Sequence, residues 1–217
     1  MGEESCLRER ICRTAASMFA RGLTCGSSGN ISVRLGDGRL LVTPTGSSFG
    51  DLDPARLSLL EADGRLVSGD PPTKEMPLHS AFYDTRGART GAVVHLHSTH
   101  SVAVSVLPDI DPDSVFRPLT AYSVMRLGKV RLLPYFRPGD PAMGDAVRGL
   151  AGRRSAVLLA HHGPVVAGRD LEAAAYAMEE LEETAKLTLL THGMRPKLLS
   201  QVEVAGLVRH FDIEWDD

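Results

Sequence analysis

Ile31-Ser32-Val33-Arg34-Leu35-Gly36-Asp37-Gly38-Arg39-Leu40-Leu41-Val42 is the stretch that decides the fold. Ile31, Val33 and Leu35 alternate with Ser32 and Arg34, so one face is apolar at the period of a half-buried strand. Gly36-Asp37-Gly38 turns the chain and Leu40-Leu41-Val42 returns, which predicts a β-hairpin. Residues 57–60 and 65–67, joined through Ala62-Asp63-Gly64, predict a second one. A sheet built partly from hairpins is not purely parallel.

Working outward, residues 3–21 carry Leu7, Ile11, Ala15, Met18 and Phe19 at helical spacing, with Gly22 at the terminating position. Pro71-Pro72 punctuate the chain before a helix over 74–86, whose Pro77 lies in the first turn, where a missing N–H costs little. Residues 91–98 predict a short apolar strand, 99–107 a helix and 130–135 a strand. Asp140-Pro141 supplies a cap and first position for a helix to 151. Residues 155–160 have the length and apolarity of a buried strand, which 164–168 is expected to continue. Asp170 caps a long helix to 192 with Leu171, Ala175, Met178, Leu181, Ala185 and Leu189 on one face, and Ser200-x-x-Glu203 is a capping box for a last helix. The Asp- and Pro-rich residues 108–118 form the longest irregular piece, expected at the surface. No linker breaks this pattern. The expectation is one α/β domain over residues 1–217, a three-layer αβα sandwich around a mixed, largely antiparallel sheet.

The composition excludes other classes. With 217 residues, 43% of them apolar, the chain needs no staples for its core. Lys and Arg number 24 against 27 Asp and Glu, a formal net charge of −3, which leaves no basic excess for nucleic-acid binding. No apolar run approaches the ~20 residues of a membrane span. Met-Gly-Glu-Glu-Ser is acidic where a signal peptide would be basic, and the three cysteines, Cys6, Cys12 and Cys25, form no C-x-x-C. A cytoplasmic protein without membrane or nucleic-acid partners is expected.

Five of the eight histidines fall in two runs, His95, His97 and His100, then His161 and His162. On a strand, residues i and i+2 share a face, so His95 and His97 stand roughly 7 Å apart along it, a spacing that suits two ligands of one tetrahedral metal. The apolar run Val157-Leu158-Leu159-Ala160 ends abruptly in His161-His162-Gly163, a way to hold a third ligand, although spacing does not choose between the two histidines. Three histidines with an open position make the catalytic pattern rather than the closed structural one. Gly26-Ser27-Ser28-Gly29-Asn30 and Thr43-Pro44-Thr45-Gly46-Ser47-Ser48 offer hydroxyls and backbone N–H groups to an anion, yet either one also reads as a plain turn. Lys74 and Glu75 open the helix after Pro71-Pro72-Thr73, where the start attracts anions and a glutamate complements the helix dipole.

Taken in order, Gly29-Asn30-Ile31-Ser32-Val33-Arg34, Thr43-Pro44-Thr45-Gly46, Lys74-Glu75 with His79, Val93-Val94-His95-Leu96-His97 and His161-His162-Gly163-Pro164 resemble the class II aldolase/adducin family over residues 10–191. Leu52-Asp53-Pro54-Ala55-Arg56-Leu57-Ser58, Ser68-Gly69-Asp70-Pro71-Pro72, His97-Ser98-Thr99-His100, Tyr135-Phe136-Arg137-Pro138-Gly139 and Glu179 through Lys186 are most similar to its 3-oxo-tetronate 4-phosphate decarboxylases. The sugar-phosphate aldolases of the family carry a serine pair where this chain has Thr73 and Lys74, which counts against fuculose-phosphate aldolase activity.

The resemblance implies that His95, His97 and His162 bind a divalent metal, with three histidines favouring Zn²⁺ over Mg²⁺, and Mn²⁺ or Co²⁺ as alternatives. It implies that Glu75 is the acid/base and can also sit on the metal. Asn30, Thr45, Gly46, Thr73 and Lys74 match positions around the substrate phosphate, and Tyr122 is the candidate for a tyrosine lent by a neighbouring subunit of a homotetramer. The implied reaction is metal-dependent decarboxylation of a small phosphorylated sugar acid to dihydroxyacetone phosphate through a stabilised enediolate. Aldol cleavage and 4-epimerisation are the alternatives. Adducin-like members without catalysis tend to lose the metal histidines, which this chain keeps.

Overall fold

Both hairpins form, and one sheet collects them together with every other strand of residues 2–215, the part of the chain that the computed structural model describes. Helix α1 (Glu3–Ala20) leads into β1 (Asn30–Arg34) and β2 (Leu40–Val42). Two short 3-10 turns, Phe49–Asp51 and Pro54–Arg56, connect to β3 (Ser58–Leu60) and β4 (Leu66–Ser68). Then follow α2 (Met76–Arg86), a 3-10 turn at Gly87–Arg89, β5 (Ala92–His95), α3 (Thr99–Ser105), α4 (Ala121–Leu127), β6 (Arg131–Leu133), α5 (Ala142–Gly149), β7 (Ala156–Leu159), β8 (Gly163–Gly168), α6 (Leu171–Leu190) and α7 (Gln201–Phe211). No helix among the described residues is long and apolar enough to cross a membrane.

The strand order is β4-β3-β2-β1-β5-β8-β7-β6, antiparallel throughout except for the parallel pair β6 and β7. Alternate side chains of the central strands enter two separate cores. Val94, Leu158 and Val166 pack with Ile11, Met18, Val104, Leu127 and Leu181, under α1, α3, α4 and α6. Val93, Val157 and Val165 pack with Leu78, Phe82, Met143 and Val147, under α2 and α5. Helices therefore cover both faces, the expected three-layer αβα sandwich with a mixed, largely antiparallel sheet.

Four local readings need correction. Helix α4 carries no strong periodic signal, being only seven residues long. Its marks are the Thr120 hydroxyl, which accepts from the Ser123 N–H, and Gly128, which ends it at φ 60°. Residues 164–168 do not continue β7 but reverse against it, with Leu158 opposite Pro164 and Leu159 opposite Gly163. His161, left-handed at φ 57°, makes that turn. Strand β5 stops at His95, although the Leu96 N–H still donates to the Pro164 carbonyl. Helix α2 begins at Met76, leaving Glu75 at the cap position with its side chain free to point elsewhere.

Helix α3 follows the histidine pair directly, and its first turn has no side-chain cap of its own. Glu182 of α6 supplies one. Its buried carboxylate accepts from the His100 N–H at 2.8 Å, the Ser101 N–H at 2.9 Å and the Ser101 hydroxyl at 2.6 Å. Burial pushes its carboxyl up, but the Ser101 hydroxyl and the His100 N–H outweigh that and hold it below the usual carboxylate range. A depressed acid contributes stability that is present above its unfolded pKa and is lost as pH falls through the folded one. Glu182→Ala is therefore expected to cost about 3 kcal/mol in urea unfolding at pH 7. The gap to wild type should narrow as pH drops below about 4.

Candidate active site

The site grows from strand register. In the antiparallel pairs β1–β5 and β5–β8, His95 lies opposite Asn30 on one side and Val165 on the other. His162 ends the β7–β8 turn, so it comes beside the end of β5. Gly163 makes this approach feasible, because a Cβ there would meet the Leu96 carbonyl oxygen at 2.2 Å. His95 Nε2 lies 3.1 Å from His97 Nε2 and 3.3 Å from His162 Nε2. The three ring centroids are 4.6 to 4.9 Å apart. Although β5 stops at His95, the three rings converge on a single focus at their tips. His161, the other member of its pair, is exposed and packs edge-on at 6.2 Å from Tyr135.

The protonation of these rings follows from their partners. His95 Nδ1 is 2.8 Å from the Pro164 carbonyl oxygen, to which only an N–H can bond, so a neutral ring keeps its lone pair on Nε2. Burial pushes His95 down to about 4 despite the opposing charge of Glu75, and burial lowers His97 as well. Imidazoles whose lone pairs converge this closely repel unless a proton or cation lies between them. The backbone carbonyl behind His95 is the usual support of a metal-binding histidine. Among the described residues, His95, His97 and His162 form the group able to hold a metal ion, and three nitrogens suit a divalent transition metal.

Glu75 closes the site from the start of α2. Its carboxylate oxygens lie 3.4 Å from His95 Nε2 and 3.3 Å from His162 Nε2, and Oε2 accepts from Asn30 Nδ2 at 2.7 Å. Burial raises its pKa, but the His162 bond, the charge of His95 and the Asn30 amide outweigh this and carry it far below the usual carboxylate range. Asn30 is itself held from behind by His79, Ser32 and Tyr83, three buried residues that the sequence reading did not include in the site. The available signals were His79 one helical turn after Glu75 and Ser32 two residues after Asn30.

The remaining expected residues divide. The Thr73 N–H donates to the Thr43 carbonyl and the Thr45 N–H to the Pro71 carbonyl, so the loop at 43–48 runs alongside 71–75. Exposed Thr45 and Gly46 line a cleft of about 230 Å³ with Ser47, Ser48, Arg56 and Asp70. Thr73 is buried and its hydroxyl accepts from the Glu75 N–H at 3.3 Å, while Lys74 is exposed and backs onto Gly139. Tyr122 is not brought to the histidines of its own chain. It is 60% exposed on α4, in a groove with Arg21, Arg126, Tyr176 and Glu179. A cleft of about 600 Å³ lies by Gly168, at the other end of β8, and contains none of the expected site residues.

The profile of the family described as Class II Aldolase and Adducin N-terminal domain matches residues 9–189. The 3-oxo-tetronate 4-phosphate decarboxylase of Escherichia coli (strain K12) is 52% identical over 205 residues, 94% of this chain and 96% of its own. The L-fuculose phosphate aldolase of the same strain is 32% identical, over 96% of this chain and 95% of its own. The crystal structure of YgbL from Escherichia coli superposes with a TM-score of 0.92 at 50% identity, covering 95% of this chain and 99% of that one. The chain belongs to the class II aldolase and adducin family.

Proposed function

We propose that the chain decarboxylates a 3-oxo-tetronate 4-phosphate to dihydroxyacetone phosphate and CO2, acting as a single domain of metal-dependent carboxy-lyase in the cytoplasm. The observation that carries this reading is the 52% identity, nearly end to end, to a relative named for that reaction, against 32% to the aldolase. The chemistry of the site supports it. Such a substrate is a β-keto acid, so breaking the C1–C2 bond expels CO2 and leaves the electron pair on C2, conjugated with the C3 carbonyl. His95, His97 and His162 would hold the metal, Zn²⁺ or in its place Mn²⁺ or Co²⁺. When bound, that ion supplies Lewis-acid stabilisation to charge developing on the substrate oxygens.

Glu75 is ionised at rest and must gain a proton before it can deliver one to C2. One proton from solvent is consumed per CO2 released. Asn30 fixes this carboxylate. Thr45, Gly46, Thr73 and Lys74 take the phosphate end, where binding energy positions the reacting carbons. The Thr45 N–H is already committed to Pro71, so the threonine offers its hydroxyl, and Lys74 offers a full charge. In a homotetramer, Tyr122 would serve a neighbouring copy, a role that fits its exposure on α4. A tetramer mass in light scattering at micromolar protein is expected.

Purified protein given 3-oxo-tetronate 4-phosphate should release CO2 and dihydroxyacetone phosphate. Chelator should abolish the reaction and added Zn²⁺ or Mn²⁺ should restore it. Aldol cleavage of a sugar phosphate without CO2 would replace this reading with the aldolase one. Glu75→Gln should bind substrate yet lose about 10²–10⁴-fold in kcat, because an amide cannot deliver the proton. Lys74→Ala should instead raise KM, by removing a charge-assisted contact. His162→Ala should lose bound metal on dialysis, measured by elemental analysis. One equivalent retained per chain would remove His162 from the ligand set.

A further inference from the structure

Four hydrogen bonds join Glu75 to a residue deep under α2. Asn30 and Ser32 stand two apart on β1 and so share the face turned to α2, where His79 and Tyr83 stand one turn apart. Tyr83 Oη lies 2.9 Å from Ser32 Oγ, Ser32 Oγ 2.7 Å from His79 Nδ1, His79 Nε2 2.5 Å from Asn30 Oδ1, and Asn30 Nδ2 2.7 Å from Glu75 Oε2. Ser32 and His79 have no solvent exposure, and the Arg34 guanidinium covers the Tyr83 ring at 4.6 Å.

With His79 neutral, only one arrangement of protons satisfies the chain. An ionised carboxylate can only accept, so the Asn30 amide nitrogen donates to it. That turns Asn30 Oδ1, which can only accept, toward His79, so His79 Nε2 carries the proton. His79 Nδ1 is then a lone pair, the Ser32 hydroxyl donates to it, and Tyr83 O–H donates to Ser32. All four bonds point the same way, toward the carboxylate, and each polarises the next. Burial, with His95 adding and Glu75 opposing, carries His79 down to about 3, so the ring is neutral at physiological pH, as the pattern requires. An amide does not hand a proton from its oxygen to its nitrogen, so the chain is no proton wire.

We propose that His79, backed by Ser32 and Tyr83, is a positioning residue that locks the Asn30 amide with its N–H toward Glu75 and thereby holds the carboxylate against His95 and His162. This rests on the reading of Glu75 as proton donor. Without the His79 N–H, Asn30 Oδ1 is a buried acceptor without a partner, and the amide gains by turning away from Glu75.

Two measurements on the metal-loaded enzyme test it. The first does not depend on turnover. Long-range ¹H–¹⁵N spectra of ¹⁵N-histidine protein should show His79 as the neutral Nε2–H tautomer with a low-field proton, and Tyr83→Phe should move that proton upfield. A His79 ring protonated on Nδ1 would overturn the proposal. The second is kinetic. His79→Leu should lower kcat by about 10–100-fold, as for supporting residues around metal ligands, with KM within about threefold and one metal still bound per chain. His79→Gln, which restores a donor near the same point, should recover most of the loss. Wild-type kcat in His79→Leu, or equal loss in the Leu and Gln variants, would overturn it. Should His79→Leu not fold, Ser32→Ala and Tyr83→Phe carry the kinetic test, with smaller losses expected and none overturning the proposal. If Glu75→Gln turns over normally while the tautomer is as described, the assignment of Glu75 as proton donor fails and the hydrogen-bond chain stands.

Discussion

A carboxylate taken out of water, facing two imidazoles and an asparagine amide rather than a lysine or arginine, is the constraint around which the molecule is arranged. An isolated buried charge is prohibitively costly unless donors and opposite charge surround it. Glu75 meets that demand by sitting where the termini of four elements meet. The start of α2 places it, the first residue of β1 gives it an amide donor, and the ends of β5 and of the β7–β8 turn bring the rings that face it. None of these pieces is adjacent to another in sequence. The sheet order, with β5 between β1 and β8, makes them neighbours in space.

The readable parts of the sequence were those with local causes. Alternation in 31–35 with the Gly36-Asp37-Gly38 turn gave the hairpin, and Asp170 and Ser200 do cap the helices that follow them. His95 and His97 were legible because two histidines two residues apart stay close in space, although β5 ends at His95 and His97 lies beyond it. The choice between His161 and His162 was not. It depends on the backbone reversal at 160–162, which swings one ring into the site and leaves the other on Tyr135. Helix α4 hid because two turns are too short to show a period. The His79 chain was illegible for another reason. Its two halves are each ordinary, a strand spacing and a helix spacing, and the meaning arises only when α2 docks on β1.

Thr73 and Lys74 show how a site can differ without its centre changing. Thr73 is buried and its hydroxyl accepts the N–H of Glu75. Its neighbour Lys74 is exposed beside Gly139.

The pinch at Gly163, where β8 passes so near the Leu96 carbonyl that only a hydrogen fits, ties the three rings to the main chain of the central strands. The segments around the rings, 43–48 and 134–140, belong to no strand. The histidine cluster and the loops that line the neighbouring cleft therefore reside in separately mutable parts of the polypeptide. Divergence can exchange one guest for another by rewriting surface loops while the rings keep their places, so a single ancestral scaffold can give rise to lyases of different specificity without passing through a form that has lost its catalytic ion.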